Sequence, residues 1–192
     1  MRKFTSADYR VMPWKNGGGS TMELYAEPGD QRSFRWRVSI ATVSSDGPFS
    51  LFAGFDRHIM AIEGHGMVLE GGPHGPIDVS RKFSPRSFSG DWPIISRLVS
   101  GPVRDFNLMA RRNNVRSSLA RFEVRAALQL GGQAGATIFA HVLENDLMVN
   151  GDVMFEGESL LLLPGEHASV TAPHPDSVPR LAICRINPCA DQ

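Results

Sequence analysis

Apolar residues recur along this chain with a period of two, the signature of half-buried strands. In Phe34-Arg35-Trp36-Arg37-Val38-Ser39-Ile40-Ala41-Thr42-Val43, one face carries Phe34, Trp36, Val38 and Ile40, and the other carries Arg35, Arg37, Ser39 and Ala41. The pattern predicts a strand whose apolar face is core and whose second face presents arginine and hydroxyl. Val103-Arg104-Asp105-Phe106-Asn107-Leu108-Met109 alternates in the same way, with Asp105, Asn107 and Met109 on one side and Phe106 and Leu108 on the other. Residues 58–62, the turn Gly64-His65-Gly66 and residues 67–70 read as a hairpin with glycines supplying its turn. Further strands are expected at 137–143, 147–149, 160–163 and 181–186, with Val149-Asn150-Gly151-Asp152 as a hairpin turn. No amphipathic helix of ten residues or more is legible. Many short strands at close spacing imply a sandwich or barrel, in which closure removes exposed edges. The expected class is all-β.

The polar run Asn113-Asn114-Val115-Arg116-Ser117-Ser118 lies just past the middle of the 192 residues and is the best candidate for a junction. It divides the chain into expected units 1–112 and 113–192. Their outlines are alike, since 55–66 and 139–151 each run as a strand into a glycine turn, although identity does not establish a repeat.

Charge narrows the partners. The formal net charge is zero, which gives no electrostatic footprint for nucleic acid or an anionic membrane surface. The longest aliphatic run, 160–163, is far short of the roughly 20 residues that cross a bilayer. Arg2 and Lys3 have no apolar stretch behind them, so no secretory signal is expected and the protein is read as cytoplasmic. Two cysteines, Cys184 and Cys189, cannot make a structural zinc site unaided. Cys184 alternates with Ala182 and Ile186 and reads as a buried small residue; a redox pair with Cys189 is the alternative.

The densest chemistry lies in Trp14-Lys15-Asn16-Gly17-Gly18-Gly19-Ser20-Thr21-Met22-Glu23-Leu24, which crowds an aromatic, a cation, an amide and three glycines ahead of an extended segment. Consecutive glycines let backbone N–H groups approach a bound group closely. They also make a flexible turn between strands, and both readings stay open. Lys15 is one of three lysines against seventeen arginines, so its place here departs from the habit of the chain. If the polar strand faces turn inward, Lys15, Asn16, Arg37, Arg57, Asp105 and Asn107 converge. Arginine offers a planar fork to a carboxylate, lysine a mobile charge, and an amide both donor and acceptor. Against this, Arg37 also reads as an ordinary surface arginine, and Asp105 as the counter-ion of Arg37 or Arg57. Trp14, Met109 and Phe49 also suit a core, and Arg111 and Arg112 either serve the pocket or solvate a strand end.

Taken together, Trp14 to Gly19 with Glu23, the 34–41 alternation, Gly47-Pro48-Phe49-Ser50, Asp56-Arg57, and Asp105-Phe106-Asn107-Leu108-Met109 with Arg111-Arg112 resemble the HutD/Ves family. The likeness covers most of the first 112 residues; the second half is similar in pattern. The resemblance implies a bicupin, two jelly-roll-like β-barrels in one chain, associated with bacterial histidine utilisation. It further implies a non-catalytic role, binding N-formylglutamate or a similar small carboxylate in the first barrel and regulating or buffering the pathway. The site expected on this reading is Trp14, Lys15, Asn16, Gly17, Gly18, Gly19, Glu23, Arg37, Arg57, Asp105, Asn107 and Arg111. Neither cofactor nor metal is expected. Enzymatic cupins commonly use His-x-His, a following glutamate and a distant histidine, whereas the six histidines here include no His-x-His pair and Leu143 stands where a partner of His141 is needed. The rival is a metal-independent cupin enzyme, an isomerase or hydrolase acting on a small carboxylate, with Glu23, Asp105 and Lys15 as its candidate proton-transfer groups. Edge strands of cupin barrels pair between subunits in many cases, so a homodimer is expected.

Overall fold

The structure, a computed structural model, describes residues 1–28, 34–131 and 135–189. The regular structure of the described residues is strand, apart from a single 3-10 turn at Ser6–Asp8. Among them, no helix is long and apolar enough to cross a membrane.

Two compact units divide the chain: a first unit, Tyr9–Val115, and a second unit, Met1–Asp8 with Arg116–Gln192. The first eight residues, expected in the first unit, therefore belong to the second. The reason is backbone pairing, since Arg2–Phe4 runs antiparallel to Ser159–Leu162 with Arg2 opposite Leu161 and Phe4 opposite Ser159. The unit boundary falls between Val115 and Arg116, inside the run expected as the junction, where a short turn leads into the strand Val115–Glu123. That strand escaped the sequence pattern because it stands at a sheet edge with most of its side chains in water, leaving no clean alternation.

In the first unit, one sheet orders its strands Arg10–Pro13, Gly19–Glu27, Trp36–Val43, Val103–Arg111, Phe55–Glu63 and Arg86–Ser89; a second orders Gly47–Pro48, Ile95–Leu98, Met67–Glu70 and Ile77–Asp78. The second unit repeats the scheme. Its larger sheet runs Val115–Glu123, Arg180–Pro188, Thr137–Glu144, Ser159–Leu162 and Arg2–Phe4, and its smaller one Leu128–Gly131, His167–Thr171, Leu147–Val149 and Asp152–Met154. The likeness that identity could not establish is thus carried by strand order.

The 58–70 segment is not a hairpin. Phe55–Glu63 pairs with Val103–Arg111 and Arg86–Ser89, whereas Met67–Glu70 pairs with Ile95–Leu98 and Ile77–Asp78, so the chain changes sheets at Gly64-His65-Gly66. This corner needs glycine. Both glycines have positive φ, and a Cβ on Gly64 would sit 2.4 Å from the Pro102 carbonyl oxygen, one on Gly66 2.4 Å from that of Val79. The expected hairpin at 149–152 does form, with Val149 opposite Asp152 and positive φ at Asn150 and Gly151.

The two sheets of the first unit bury a common apolar cluster that includes Ala41, Val43, Ile59, Ala61, Met67, Leu69, Phe88, Ile94 and Val103. Here the alternation misled in one respect. Ala41 and Val43 lie on the same face of Trp36–Val43 as Arg37 and Ser39, so the face bearing arginine and hydroxyl turns into this interior. Along that face the side chains grade from charged to apolar. The charged end is where the candidate site lies.

Candidate ligand-binding cavity

Register builds the site across three neighbouring strands. Met109 stands opposite both Arg37 and Arg57, Asn107 opposite Ser39 and Ile59, and Asp105 opposite Ala41 and Ala61. Residues two apart on a strand share a face, so these three rows stack in order toward Val43 and Val103 in the apolar cluster. With strands about 4.8 Å apart, the Cα atoms of Arg37 and Arg57 are roughly 10 Å from each other, flanking Met109. The rows border a cavity of about 480 Å³ whose wall includes Arg37, Ser39, Ala41, Arg57, Asn107 and Met109 from the sheet. Met12, Pro13, Trp14, Lys15, Asn16 and Thr21 enclose it on one side, and Pro48, Phe49, Ser50 and Phe52 on another. That volume suits a small metabolite.

Arg57 is 5% exposed, with its guanidinium over the rings of Phe49, Phe52 and Phe88 at 4.8, 5.6 and 5.1 Å. Its Nη1 donates to the Ser50 carbonyl oxygen at 3.3 Å. Burial pulls its pKa down to about 10; the charge of Asp105 opposes the fall and that of Arg37 adds to it. Arg57 is therefore still a cation at neutral pH. Arg37 lies over Phe34 and Phe52 at 5.0 and 5.6 Å, and its Nη1 is 4.0 Å from Glu23 Oε2. Burial lowers the Arg37 pKa and the Glu23 charge opposes this. Both cations lean on aromatic faces, an attraction that strengthens where water is excluded.

Below them, Asp105 is fully buried and Asn107 is 4% exposed, and Asn107 Nδ2 donates to Asp105 Oδ1 at 3.2 Å. Burial pushes the Asp105 carboxyl up from 3.8 to about 7, against the pull of the Asn107 hydrogen bond and the Arg57 charge. Buried polar groups normally find partners. In the described residues, the buried side-chain nitrogen and oxygen atoms without a hydrogen-bond partner are Glu23 Oε2, Arg37 Nε, Arg57 Nε, Asp105 Oδ2 and Asn107 Oδ1. All five belong to this one constellation.

The other expected residues take different places. Trp14 lines the wall and donates Nε1–H to Thr21 Oγ1 at 2.8 Å, while Lys15 and Asn16 are exposed at the rim. Gly17, Gly18 and Gly19 are not in the cavity wall. Gly17 N–H donates to the Trp14 carbonyl at 3.1 Å and Gly18 N–H to Asn16 Oδ1 at 3.1 Å, so both are spent inside the turn. Gly17 needs its positive φ of 71°, and a Cβ on Gly19 would lie 2.1 Å from the Thr42 carbonyl oxygen and 3.1 Å from the Trp14 ring. The triplet is thus a tight turn that seats Trp14 and lets the hairpin close on Trp36–Val43, rather than a cradle of N–H donors. Glu23 and Arg111 also lie outside the wall. Glu23 acts through Arg37, and Arg111 lies over Phe55 at 4.7 Å. Phe52, Ser50, Thr21 and Met12 were not anticipated; the signal available was an aromatic loop, Phe49-Ser50-Leu51-Phe52, in a chain whose strand faces carry arginine. Phe49 and Met109, read as core, serve both purposes.

No group of three or more His, Cys, Asp or Glu side chains is gathered among the described residues, so the donors of a cupin metal centre are not assembled there. His141 Nδ1 meets Ser159 Oγ at 2.8 Å, and His58 Nδ1 meets Ser87 Oγ at 2.7 Å. Each pair spans corresponding strands of its unit, with His58 opposite Ser87 and Leu108, and His141 opposite Ser159 and Ala182. Counting outward from these pairs, Arg57 corresponds to Ala140, Asn107 to Leu181 and Met109 to Ile183. In the second unit these positions pack into an apolar cluster with Val142, Leu160 and Leu162. Equivalent strands thus hold charge in one unit and hydrocarbon in the other.

Comparison with known proteins agrees on the fold. A sequence profile described as HutD matches residues 6–178. A Pseudomonas putida protein, described as an uncharacterised 21.2 kDa protein in the hutC 3′ region, is 40% identical over 119 residues, which are 60% of this chain and 61% of that protein. The matched stretch is thus less than two thirds of that relative's length. Protein Ves of Citrobacter koseri is 35% identical over 67% of this chain and 68% of its own. Among solved structures, HutD from Pseudomonas fluorescens SBW25, in a formate condition, superposes with a TM-score of 0.81 at 30% identity, covering 98% of this chain and 99% of its own. Lactobacillus farciminis oxalate decarboxylase superposes with a TM-score of 0.67 at 7% identity over 98% and 87% of the two chains, a likeness of fold alone.

Proposed function

This chain belongs to the HutD family, and on that premise we propose that it is a non-catalytic binding protein for a small carboxylate of histidine utilisation, N-formylglutamate first among the candidates. Each of its units is on this reading a cupin barrel, with ligand held in the first. The observation that carries the proposal is the buried Arg57 and the part-buried Arg37 on one cavity wall, each with a buried, unpartnered Nε. A buried charge is costly unless matched; here Glu23 Oε2 stands 4.0 Å from Arg37 Nη1, and burial pushes the Asp105 carboxyl up to about 7, so that it is only partly ionised at neutral pH. An anion between the arginines completes the match. Two carboxylates whose carbons are about four bonds apart, as in a five-carbon diacid, suit two forks whose strands are separated by about 10 Å. Lys15 at the rim adds attraction for an approaching anion.

The test is calorimetry and thermal unfolding of the purified protein against N-formylglutamate, urocanate, histidine and glutamate. At about 100 times the dissociation constant a true ligand adds about 2.7 kcal/mol to the stability. N-formylglutamate is expected to shift the transition and to be recovered unchanged by NMR after prolonged incubation. No shift with any acid would overturn the binding role, and turnover of the bound compound would replace it with the enzyme reading.

A further inference from the structure

The five unpartnered atoms do not balance. Two are donors, Arg37 Nε and Arg57 Nε; Glu23 Oε2 and Asn107 Oδ1 are acceptors, and Asp105 Oδ2 is a third when its carboxyl is ionised. A ligand that is only an anion supplies acceptors alone; it satisfies the arginines and leaves the acceptors as they are. Of the three, Asn107 is the one whose residue lines the cavity, and its amide is fixed from behind because Nδ2 donates to Asp105 Oδ1 at 3.2 Å. With one of its N–H groups committed to a fully buried carboxyl, the polar atom of the amide left without a partner is its carbonyl oxygen.

Resting on the anion-binding role above, we propose that Asn107, oriented by Asp105, is a specificity-determining residue that selects an acidic ligand carrying an N–H or O–H donor close to its carboxylates. The substrate class is accordingly an N-acyl or free α-amino acid with a second carboxylate, and simple dicarboxylates are discriminated against. The second unit is consistent with this division of roles. There Leu181 occupies the position of Asn107 and Ala140 that of Arg57, so polar selectivity and positive charge are lost together.

The experiment is titration calorimetry of the intact chain with N-formylglutamate and with glutarate, which keeps both carboxylates and lacks the donor. Wild type is expected to favour N-formylglutamate by about tenfold or more, the scale of one buried acceptor gaining a partner. Asn107→Leu is expected to bring the preference between the two acids to near unity, and Asp105→Asn, which keeps an acceptor for Asn107 Nδ2 but is free to rotate its amide, to reduce the preference part way. Tryptophan fluorescence on denaturation confirms that each variant is folded, and if Asn107→Leu fails that check, Asp105→Asn decides alone. Equal affinity of wild type for both acids, or an undiminished preference in the folded variants, overturns the selectivity role and leaves anion binding standing. Failure of wild type to bind either acid overturns the anion-binding role and this inference with it.

Discussion

Replacing Asp105 by asparagine isolates the cost of placing a carboxyl under two arginines. The substitution preserves shape and keeps an oxygen to accept from Asn107, while removing the group that titrates. In the unfolded chain that carboxyl ionises near 3.8, and in the folded protein near 7, because burial outweighs both Asn107 and Arg57. Between those values the folded protein holds a proton that the unfolded chain has released, so the contribution of Asp105 to stability declines as pH rises through the window and is lowest above 7. At about 1.36 kcal/mol per unit of pKa, the full decline is about 4 kcal/mol. The stability of Asp105→Asn relative to wild type should therefore grow by about that amount from pH 4 to pH 8, whatever constant offset the substitution brings. Urea titration followed by tryptophan fluorescence is the assay, since Trp14, Trp36 and Trp92 all lie in the first unit and report on it specifically. Two curves that stay parallel within about 1 kcal/mol would show Asp105 ionised throughout, and the argument from burial would be wrong.

Other outcomes follow from the same geometry. Arg37→Ala should weaken N-formylglutamate by about 1.5 to 3 kcal/mol, the range for a hydrogen bond to a charged group, with the melting profile otherwise retained; unchanged calorimetric affinity would remove Arg37 from the site. Gly19→Ala forces a methyl against the Thr42 carbonyl and the Trp14 ring, and should destabilise the first unit by about 1 to 3 kcal/mol in urea titrations; a neutral effect would mean that the hairpin is free to move away. Cys184 is fully buried, and burial alone drives its thiol pKa upward, whereas Cys189 is part-exposed. A thiol reagent should consume one equivalent in the native protein and a second only after denaturation, and two fast equivalents would contradict the placement of Cys184.

The class of fold and the polar strand faces were legible because period-two alternation survives in any half-buried strand. Asp105, Asn107 and Met109 share a face as the spacing requires, and Arg37 and Arg57 join them through register. Alternation shows which residues share a face, but which face is inside depends on partners remote in sequence. That is why the alternation leaves Arg37 open between an ordinary surface arginine and a ligand residue, whereas the structure turns its face inward. The glycine triplet misled for a related reason. Its demand is steric, set by Thr42 far along the chain, and a sequence shows the permissive residue without the obstacle. Likewise, Gly64 and Gly66 marked a turn correctly, but whether a turn returns to its own sheet or crosses to another is decided by packing. Phe52 enters the site through a loop, where no periodicity exists to be read.

The repeated strand order, charged in one unit and sealed with hydrocarbon in the other, bears on inheritance. The substitutions Ala140 for Arg57, Leu181 for Asn107 and Ile183 for Met109 sit on corresponding strands and leave the topology intact. A descendant of such a chain is therefore able to change or lose its ligand through a handful of interior positions while keeping its whole architecture. Likeness along the full length then says little about what a given relative holds. That question is answered by reading positions 37, 57, 105 and 107 in each relative, one side chain at a time.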